Sequence, residues 1–389
     1  MKIKEIRPPG QKKSRARTLL LLSGGLDSLL AGKVLEEQGV EIVGLSFESV
    51  FFEASRAVVA AEKLSWPLIL AEITEEQIRI VEQPRYGYGR HLNPCIDCHG
   101  QMVKLAAGLL PHYEADFIST GEVLGERPMS QNRQALELVE KSGEARGLVL
   151  RPLSARLLPP TRPEELGLIN RQKLLDLSGR CRQRQIELAR HYGLNDYPAP
   201  AGGCLLTDAI FSEKLKKLRN WRGAWRREDI ELIKHGRIFF EDEGLIIVGR
   251  DEEENKKLES LALPGDLLLT LPDFKGPLTV VRFRDKDSSV LGQRREEKDR
   301  QAVEAGQALG IFDQPLLKKA ALLTIRYSRY RQAEEAAVIL VSPLPAQSRK
   351  FKKEEWEHNQ LQIDMRLTGW QLKAENLKKK NGNLIFKTF

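Results

Sequence analysis

The residues best suited to chemistry lie at positions 19–28, where four leucines are followed by Ser-Gly-Gly-Leu-Asp-Ser. The leucine run is typical of a buried parallel strand, and the apolar spacing after Ser28 is helical. A loop between a strand and a helix presents backbone N–H groups and the positive end of the helix dipole, which together bind anions. Gly24 and Gly25 allow the main chain to approach a phosphate closely. The segment therefore predicts a phosphate-binding loop.

The loop lacks the Gly-x-x-x-x-Gly-Lys-Ser/Thr sequence that holds the β- and γ-phosphates with a lysine. Its Ser-Gly-Gly-x-Asp-Ser pattern instead resembles the pyrophosphate loop (PP-loop) of the ATP-pyrophosphatase family. Members of that family cleave ATP between the α- and β-phosphates and adenylate an oxygen of their substrate. The resemblance implies that Asp27 acts through Mg2+ and that the pyrophosphate is held by Ser23, Gly24, Gly25 and Ser28. An ordinary strand-to-helix turn is the alternative.

A second motif, Thr-Gly-Glu-Val-Leu-Gly at 120–125 with Ser-Gln at 130–131, resembles the signature of the tRNA 4-thiouridine synthases. The sequence Val-Leu-Arg-Pro-Leu at 149–153 continues that resemblance. A glycine at position 121 permits close approach of a nucleotide, and a carboxylate at position 122 suits a ribose hydroxyl or an Mg2+-bound water. A glycine turn with a solvated glutamate is the alternative. The residues that the resemblance adds to the ATP site are Phe47 (near the adenine), Thr120, Gly121 and Glu122.

Three of the four cysteines form a third pattern, because Cys95 and Cys98 are separated by two residues and Cys204 follows far downstream. In a cytosolic protein this usage favours metal or redox chemistry over a structural disulfide. The segment Asn-Pro-Cys-Ile-Asp-Cys-His resembles a segment of the tRNA 2-thiouridylases, with Cys98 and Cys204 matching their two reactive cysteines. Cys95 replaces the aspartate of the commoner pattern. The resulting set also resembles that of iron–sulfur tRNA thiolation enzymes, in which three cysteines hold a [4Fe-4S] cluster.

Four interpretations of these thiols are open. They are a [4Fe-4S] cluster on Cys95, Cys98 and Cys204, a persulfide and disulfide relay between Cys98 and Cys204, a zinc site completed by His99 or Cys181, and unreactive cysteines. We favour the cluster because three ligands underfill a closed zinc site, whereas they leave a cluster one exchangeable iron. Cys181 is expected to pack within a helix.

Apolar strand candidates alternate with helical segments up to about position 208, which predicts a parallel, doubly wound α/β sheet. The resemblance implies the adenine nucleotide α-hydrolase-like version of this fold. Ligands of such sheets bind beyond the carboxyl ends of the strands. Strands are predicted at 18–22, 41–47, 67–73, 116–120 and 147–151, and helices at 29–38, 53–64, 99–110 and 180–192.

The length of 389 residues predicts two or three domains. A net charge of +8 favours a polyanionic partner. No apolar run approaches the length of a membrane span, and the basic N-terminus lacks a signal-peptide core, so we expect a cytoplasmic protein without a membrane partner.

The character of the sequence changes after position 208. The segment 213–227 carries seven Lys or Arg against one acid, with two interleaved tryptophans, a composition suited to phosphate contact and base stacking. A solvated amphipathic helix is the alternative. The segment 246–255 resembles the small RNA-binding domain of NFACT proteins. The candidate RNA-binding residues are Lys214, Lys216, Lys217, Trp221, Arg222, Trp225 and Arg226.

These observations predict a basic N-terminal tail at 1–17, a PP-loop domain at 18–208, an NFACT-like RNA-binding domain at 209–259 and a smaller α+β region of unknown role at 260–389. In the last region, strands are predicted near 266–271, 278–283, 321–327 and 336–341, and a helix near 297–308.

The function implied is that of an ATP-dependent tRNA thiouridine synthase, a transferase that uses ATP, Mg2+ and a [4Fe-4S] cluster. Its partners would be tRNA and a sulfide or persulfide donor. A small-molecule ATP-pyrophosphatase would share the PP-loop, and a non-catalytic RNA-binding protein would share the basic segment. The motifs are drawn from both families, so 4-thiouridine and 2-thiouridine are both open as products.

Overall fold

The computed structural model describes residues 2–197, 203–271, 276–284, 315–329 and 338–341, together with four short strands between 365 and 385. The chain divides into two compact units, Met1–Ser212 and Glu213–Phe389. The division falls a few residues after position 208. None of the helices in these described ranges has the length and apolar character needed to cross a bilayer.

The first unit is built on a six-stranded sheet with the strand order β1-β4-β3-β2-β5-β6. All neighbouring strands are parallel except β1, which runs antiparallel to β4. The strands are β1 (Lys2–Arg7), β2 (Arg17–Leu21), β3 (Glu41–Glu48), β4 (Leu68–Glu72), β5 (Phe117–Thr120) and β6 (Val149–Leu150). The helices are α1 (Leu26–Glu36), α2 (Ser55–Lys63), α3 (Thr74–Glu82), α4 (Cys95–Leu109), α5 (Arg133–Ser142), α6 (Arg162–Glu165) and α7 (Gln183–His191).

Two apolar clusters cover the two faces of this sheet. Leu20 of β2 packs in a cluster with α1, α2 and α7, whereas its neighbour Leu19 packs in a cluster with α4 and α5. This alternation follows from the strand period of two, and it confirms the predicted doubly wound α/β fold. The order of the strands reverses between β2 and β5, and ligands of doubly wound sheets bind at such a switch point.

The N-terminal segment is not only a tail, as residues 2–7 form the edge strand β1. Every residue of β1 is exposed, so the sequence shows no apolar face that would have predicted a strand. Arg17, the last residue of the predicted tail, is buried, and its guanidinium lies 2.7 Å from a carboxylate oxygen of Glu41. The first unit therefore begins before position 18.

The helices α3, α5 and α6 of the first unit are absent from the predicted set, and α4 begins at Cys95 instead of position 99. Pro94 is the N-cap of α4, and its carbonyl accepts a hydrogen bond from the Cys98 N–H at 2.9 Å. The proline therefore starts the helix itself, and both cysteines of the pair lie in or beside its first turn.

The second unit contains an antiparallel five-stranded sheet with the order β11-β9-β10-β8-β7. Its helices, one of which starts in the first unit, are α8 (Ala209–Arg222), α9 (Arg227–Leu232), α10 (Glu252–Leu261) and α11 (Pro315–Arg326). The strands of the sheet are β7 (Arg237–Phe240), β8 (Gly244–Val248), β9 (Leu267–Thr270), β10 (Thr279–Phe283) and β11 (Ile339–Val341). The remaining strands form two hairpins, β12 (Met365–Thr368) with β13 (Gln371–Ala374) and β14 (Lys378–Lys380) with β15 (Asn383–Ile385).

Two predictions for this unit need correction. The domain boundary predicted at 259/260 falls within one sheet, because β8 lies before it, β10 lies after it, and the two strands pair. The strand predicted at 321–327 is wrong, since these positions lie mostly in α11, whose apolar residues recur at helical spacing and pack on the sheet. The helix predicted near 297–308 lies outside the described residues.

The packing of α1 against the sheet makes a testable prediction at Gly32. A Cβ atom at this position would lie 2.2 Å from Cη2 of the buried Trp66 ring, so alanine forces the ring to move. We expect Gly32→Ala to lower the free energy of unfolding of the first unit by about 1–3 kcal/mol. Urea unfolding of the full chain measures this change, and hydrogen exchange of α1 assigns it to the first unit.

Gly108 provides the matched control, because it also lies in a helix but has open space at the Cβ position. Gly108→Ala should raise the free energy of unfolding by about 0.5–1 kcal/mol through helix propensity alone. Equal effects of the two substitutions would contradict close packing of α1 on Trp66.

Candidate functional site

The loop between β2 and α1 is organised by its two serines. Ser23 Oγ accepts a hydrogen bond from the Gly25 N–H at 3.3 Å, and Ser28 Oγ donates to the Gly25 carbonyl at 2.8 Å. Gly24 has a φ of 73°, and a Cβ there would lie 2.5 Å from the backbone of Arg56. No side chain caps the N-terminus of α1. The first turn of α1 therefore offers backbone N–H groups to an anion.

Asp27 projects from this first turn into a partly buried position. Its Oδ2 lies 3.5 Å from Nη2 of Arg182, and its Oδ1 is buried without a hydrogen-bond partner among the described residues. Burial raises the pKa of the carboxyl group, although the charge of Arg182 opposes the rise. A buried carboxylate oxygen without a partner is costly, so this atom is suited to a cation or another ligand.

Arg182 was missed as a site residue, because in the sequence it is only one of three arginines around Cys181. It is the N-cap residue of α7 and lies 3.8 Å from Glu126 as well as beside Asp27. Burial and the charge of Asp27 raise the pKa of Glu126. The loop that carries Glu126 is shaped by Gln131, whose side chain accepts from the Arg127 N–H at 3.0 Å. This contact gives the Ser-Gln motif a structural role.

Glu122 is held in a buried network beyond the end of β5. Its Oε2 lies 2.9 Å from Nε of Arg151 and accepts from the Thr120 hydroxyl at 3.1 Å, and its Oε1 lies 3.1 Å from Nδ1 of His99. Burial alone would raise the pKa of this carboxyl group, but the charge of Arg151 and the hydrogen bond with His99 hold it at about 2. Glu122 is therefore a fixed anion between β6 and α4.

The neighbouring Gly121 lies against the start of α1. A Cβ at Gly121 would lie 2.4 Å from the Ser28 backbone nitrogen and 2.5 Å from the Asp27 carbonyl carbon. The second motif is thus packed directly on the PP-loop at the switch point between β2 and β5. Phe47, by contrast, is only 7% exposed and packs in the core on the α4 side of the sheet.

Cys95 and Cys98 lie in the first turn of α4. Asn93 Nδ2 donates to Cys95 Sγ at 3.3 Å. Cys204 follows residues outside the described ranges and is positioned by the hydrogen bond from the Leu205 N–H to the Phe51 carbonyl, at 2.8 Å.

The three thiols of Cys95, Cys98 and Cys204 influence one another. Burial raises the pKa of Cys98, and the nearby Cys204 and Cys95 raise it further. Burial and the nearby Cys95 likewise raise the pKa of Cys204 to about 11. The fourth cysteine, Cys181, is exposed. Within the described part of the chain, no three His, Cys, Asp or Glu side chains are arranged to hold a metal ion. The donor chemistry of the three cysteines fits an iron–sulfur cluster, but their arrangement is not that of a preformed site.

In the second unit, the two tryptophans and Arg222 of the candidate RNA-binding set have buried structural contacts instead. Trp221 and Trp225 are 6% and 8% exposed, and their indole N–H groups donate to backbone carbonyls of Glu241 and Leu215. Arg222 Nε lies 2.9 Å from the buried carboxylate of Asp229. The structure therefore contradicts the expectation that these residues stack on bases or contact phosphates. The exposed members of the candidate set are Lys216, Lys217 and Arg226, and Lys214 is half-buried.

The first unit is a doubly wound α/β domain whose loop at the switch point of the sheet offers backbone N–H groups to an anion. Residues 13–156 match the family model of "Thiamine biosynthesis protein (ThiI)". This match and the relatives described next confirm the predicted resemblance to the tRNA thiouridine synthases, whereas the NFACT-like resemblance stays a prediction.

Two relatives with known names illustrate the similarity. A "Probable tRNA sulfurtransferase" of Clostridium acetobutylicum is 29% identical over 133 residues, covering 32% of this chain and 33% of the relative. A "tRNA-specific 2-thiouridylase MnmA" of Flavobacterium johnsoniae is 32% identical over 126 residues, covering 27% and 31%. The chain thus spans about a third of the length of the curated relatives that it matches.

Among solved structures, a 4-thiouridine synthetase in complex with RNA and bound ATP is similar at 22% identity. The similarity covers 52% of this chain and 50% of that one, with a TM-score of 0.32. The NMN synthetase from Francisella tularensis is similar at 12% identity, covering 49% and 90%, with a TM-score of 0.24.

The depressed pKa of Glu122 makes a prediction about acid stability. A carboxyl group whose pKa is lower in the folded state stabilises the fold above its unfolded-state pKa of about 4.3 and loses this contribution as the pH falls. We expect Glu122→Gln to lower the free energy of unfolding by about 2 kcal/mol at pH 7. The difference in the free energy of unfolding between the two proteins should shrink progressively as the pH falls from the unfolded-state pKa towards the folded-state pKa of about 2.

Urea titrations of both proteins between neutral and acidic pH measure this difference. Glu137→Gln is the control, because Glu137 lies exposed on α5. Its substitution should change stability by less than about 0.5 kcal/mol at every pH. A destabilisation by Glu122→Gln that stayed constant with pH would show that the charge of Glu122 is not what stabilises the network.

Proposed function

We propose that this chain is an ATP-dependent tRNA thiouridine synthase. One observation carries the proposal: the turn that bears Cys98 and the PP-loop that bears Asp27 meet at a single loop. His99, next to Cys98, contacts Glu122, and Gly121 beside Glu122 rests on the backbone of Asp27 and Ser28. This arrangement supports the proposal that sulfur chemistry and adenylation take place in one site. A cytoplasmic location follows from the proposed tRNA substrate.

The ATP half of the reaction is assigned to the PP-loop. A carbonyl oxygen of uridine attacks the α-phosphorus, the bond to the β-phosphate oxygen breaks, and pyrophosphate leaves. Charge develops on the pyrophosphate, and the N–H groups of the first turn of α1 stabilise it without reorganisation. Asp27 would hold Mg2+ through its unpartnered Oδ1, because hard cations prefer carboxylate oxygens.

The sulfur half of the reaction is assigned to the three cysteines. A sulfur nucleophile attacks the activated carbon of uridine, the carbon–oxygen bond breaks, and AMP leaves with the oxygen. An iron–sulfur cluster held by Cys95, Cys98 and Cys204 would supply a sulfide on an open iron when bound. The other form of the proposal needs no cluster. There the terminal sulfur of a persulfide on Cys204 attacks the activated carbon and joins Cys204 to uridine through a sulfur–sulfur bond, as AMP leaves. The Cys98 thiolate then attacks Cys204 Sγ, the sulfur–sulfur bond to uridine breaks, and thiouridine leaves. The resulting Cys98–Cys204 disulfide is reduced by an external thiol.

Contacts with tRNA in the second unit are proposed for the basic residues that remain at its surface, Lys216, Lys217 and Arg226. Phosphate contacts by such residues position an RNA without reading its sequence. A small-molecule ATP-pyrophosphatase would not need this surface, and a non-catalytic RNA-binding protein would not need Asp27.

The adenylation step is tested with Asp27→Asn, which keeps the shape of the side chain and removes its charge. We expect release of pyrophosphate in the presence of ATP and tRNA to fall by at least about 100-fold, since the cation at the phosphates is lost. Asp196→Asn is the control, because Asp196 is an exposed partner of Lys63. Undiminished, tRNA-dependent pyrophosphate release by Asp27→Asn would refute the assignment of the loop.

The sulfur step is tested by alanine substitution of each cysteine in anaerobically purified full-length protein. Cys95→Ala, Cys98→Ala and Cys204→Ala should each abolish the iron content, the brown absorbance and the formation of thiouridine, while pyrophosphate release continues. Cys181→Ala, at the exposed cysteine, should change none of these. Iron-free protein that still forms thiouridine in the Cys95→Ala variant would reject the cluster and support the persulfide relay. Thiouridine is measured by mass spectrometry of tRNA nucleosides.

A further inference from the structure

The loop between α3 and α4 has a composition that neither the PP-loop nor the cysteine pair explains. Residues 85–91 read Arg-Tyr-Gly-Tyr-Gly-Arg-His and are called the Tyr-Gly loop below. The loop contains two aromatic rings, two arginines and a histidine, and no acidic residue. Aromatic and basic residues separated by glycines are suited to stacking on bases and contacting phosphates at the same time.

The Tyr-Gly loop is attached to the turn that carries the cysteines. The carboxylate of Asp97, between the two cysteines, accepts hydrogen bonds from the Arg85 and Tyr86 N–H groups at 3.2 and 3.0 Å. At the other end of the loop, the Gly89 N–H donates to the Asn93 carbonyl at 2.9 Å. The side chain of the same Asn93 donates to Cys95 Sγ. The loop is therefore held at a fixed position beside the thiols.

The outer surface of the loop consists of the groups that would contact an RNA. Tyr88 is 40% exposed, and its hydroxyl donates to the Val81 carbonyl, which fixes the ring in place. Arg85 and Arg90 are exposed, and the guanidinium of Arg85 lies 5.5 Å from the centre of the Tyr86 ring. Gly89 leaves no room for a side chain, since a Cβ there would lie 2.6 Å from Nδ2 of Asn93. The glycine thus allows the loop to fold closely over Asn93.

We propose that the Tyr-Gly loop binds the unpaired segment of tRNA that contains the target uridine, with Tyr88 stacking on a base and Arg90 contacting a phosphate. The proposal rests on the proposed function. A uridine must leave its base stack for its carbonyl to reach a reactive group, and unstacked bases expose the faces on which aromatic side chains stack. A base held on Tyr88 would lie next to the turn of Cys95 and Cys98, where the sulfur is delivered.

The stacking contact is tested with Tyr88→Ala and Tyr88→Phe in the full chain. The probe is unmodified tRNA transcribed in vitro, and its Kd is measured by fluorescence anisotropy. Tyr88→Ala should raise the Kd about 10-fold, whereas Tyr88→Phe, which keeps the ring, should stay within about 3-fold of the unsubstituted protein. Tyr192→Ala is the control, since Tyr192 contacts Glu37 after the carboxyl end of α1, away from the site.

The phosphate contact is tested by the salt dependence of the same Kd. Each phosphate contact contributes about one unit to the slope of log Kd against log salt concentration. Arg90→Ala should therefore reduce the slope by about 0.7–0.9, whereas Tyr88→Ala should leave the slope unchanged. Arg146→Ala is the control, because Arg146 is exposed before the amino end of β6, whereas the PP-loop and Glu122 follow the carboxyl ends of β2 and β5.

The outcomes separate this proposal from the proposed function. If the unsubstituted protein forms thiouridine and the Tyr88 and Arg90 variants bind tRNA as it does, the loop is not a tRNA contact although the function stands. If the unsubstituted protein neither binds tRNA nor forms thiouridine, the proposed function fails. Equal weakening by Tyr88→Ala and Tyr88→Phe, with an unchanged melting temperature, would overturn the stacking role.

Discussion

The site depends on the close packing of the loop after β5 on the first turn of α1. At Gly121 the two backbones approach so closely that even a methyl group would overlap with Asp27 and Ser28. This contact brings Glu122 next to the PP-loop, and Glu122 in turn binds His99 of α4 and Arg151, the residue that follows β6. The contact between the loop after β5 and the first turn of α1 thus sets the position of the PP-loop relative to α4, which carries Cys95 and Cys98. Glycine is required at the contact because any side chain would separate them.

The same region contains polar groups that the protein alone does not satisfy. Oδ1 of Asp27, Nε of Arg182 and Nη2 of Arg151 are buried without hydrogen-bond partners among the described residues. Unsatisfied buried groups each cost about 1–3 kcal/mol, so these three atoms lower the stability of the fold. Groups of this kind are suited to a ligand that supplies the missing hydrogen-bond partners.

The second unit shows how a charge count can mislead about function. The seven basic residues at 213–227 suggest a phosphate-binding surface, but Arg222 is drawn inward by Asp229. Asp229 and Asp266 also bind Arg282 of β10, so the buried ion pairs connect a helix with the sheet. Both tryptophans fill the core instead of stacking on bases. Removing one residue from such a buried network leaves the charges of its partners unpaired. Arg222 and Arg282 therefore have a structural role.

The sequence by itself determined the elements whose signal is local. The leucine run with Ser-Gly-Gly-x-Asp-Ser specified strand, loop and helix, and the alternation of apolar runs specified a doubly wound sheet, because strand and helix periods are properties of neighbouring residues. Features that depend on contacts between residues far apart in the sequence were decided only by the tertiary structure. The exposed edge strand β1 has no apolar face, Arg182 joins the site from 155 positions beyond Asp27, and Glu122 became a fixed anion through Arg151 and His99. Charge, burial and hydrogen bonding between such residues arise from folding, so no local pattern encodes them.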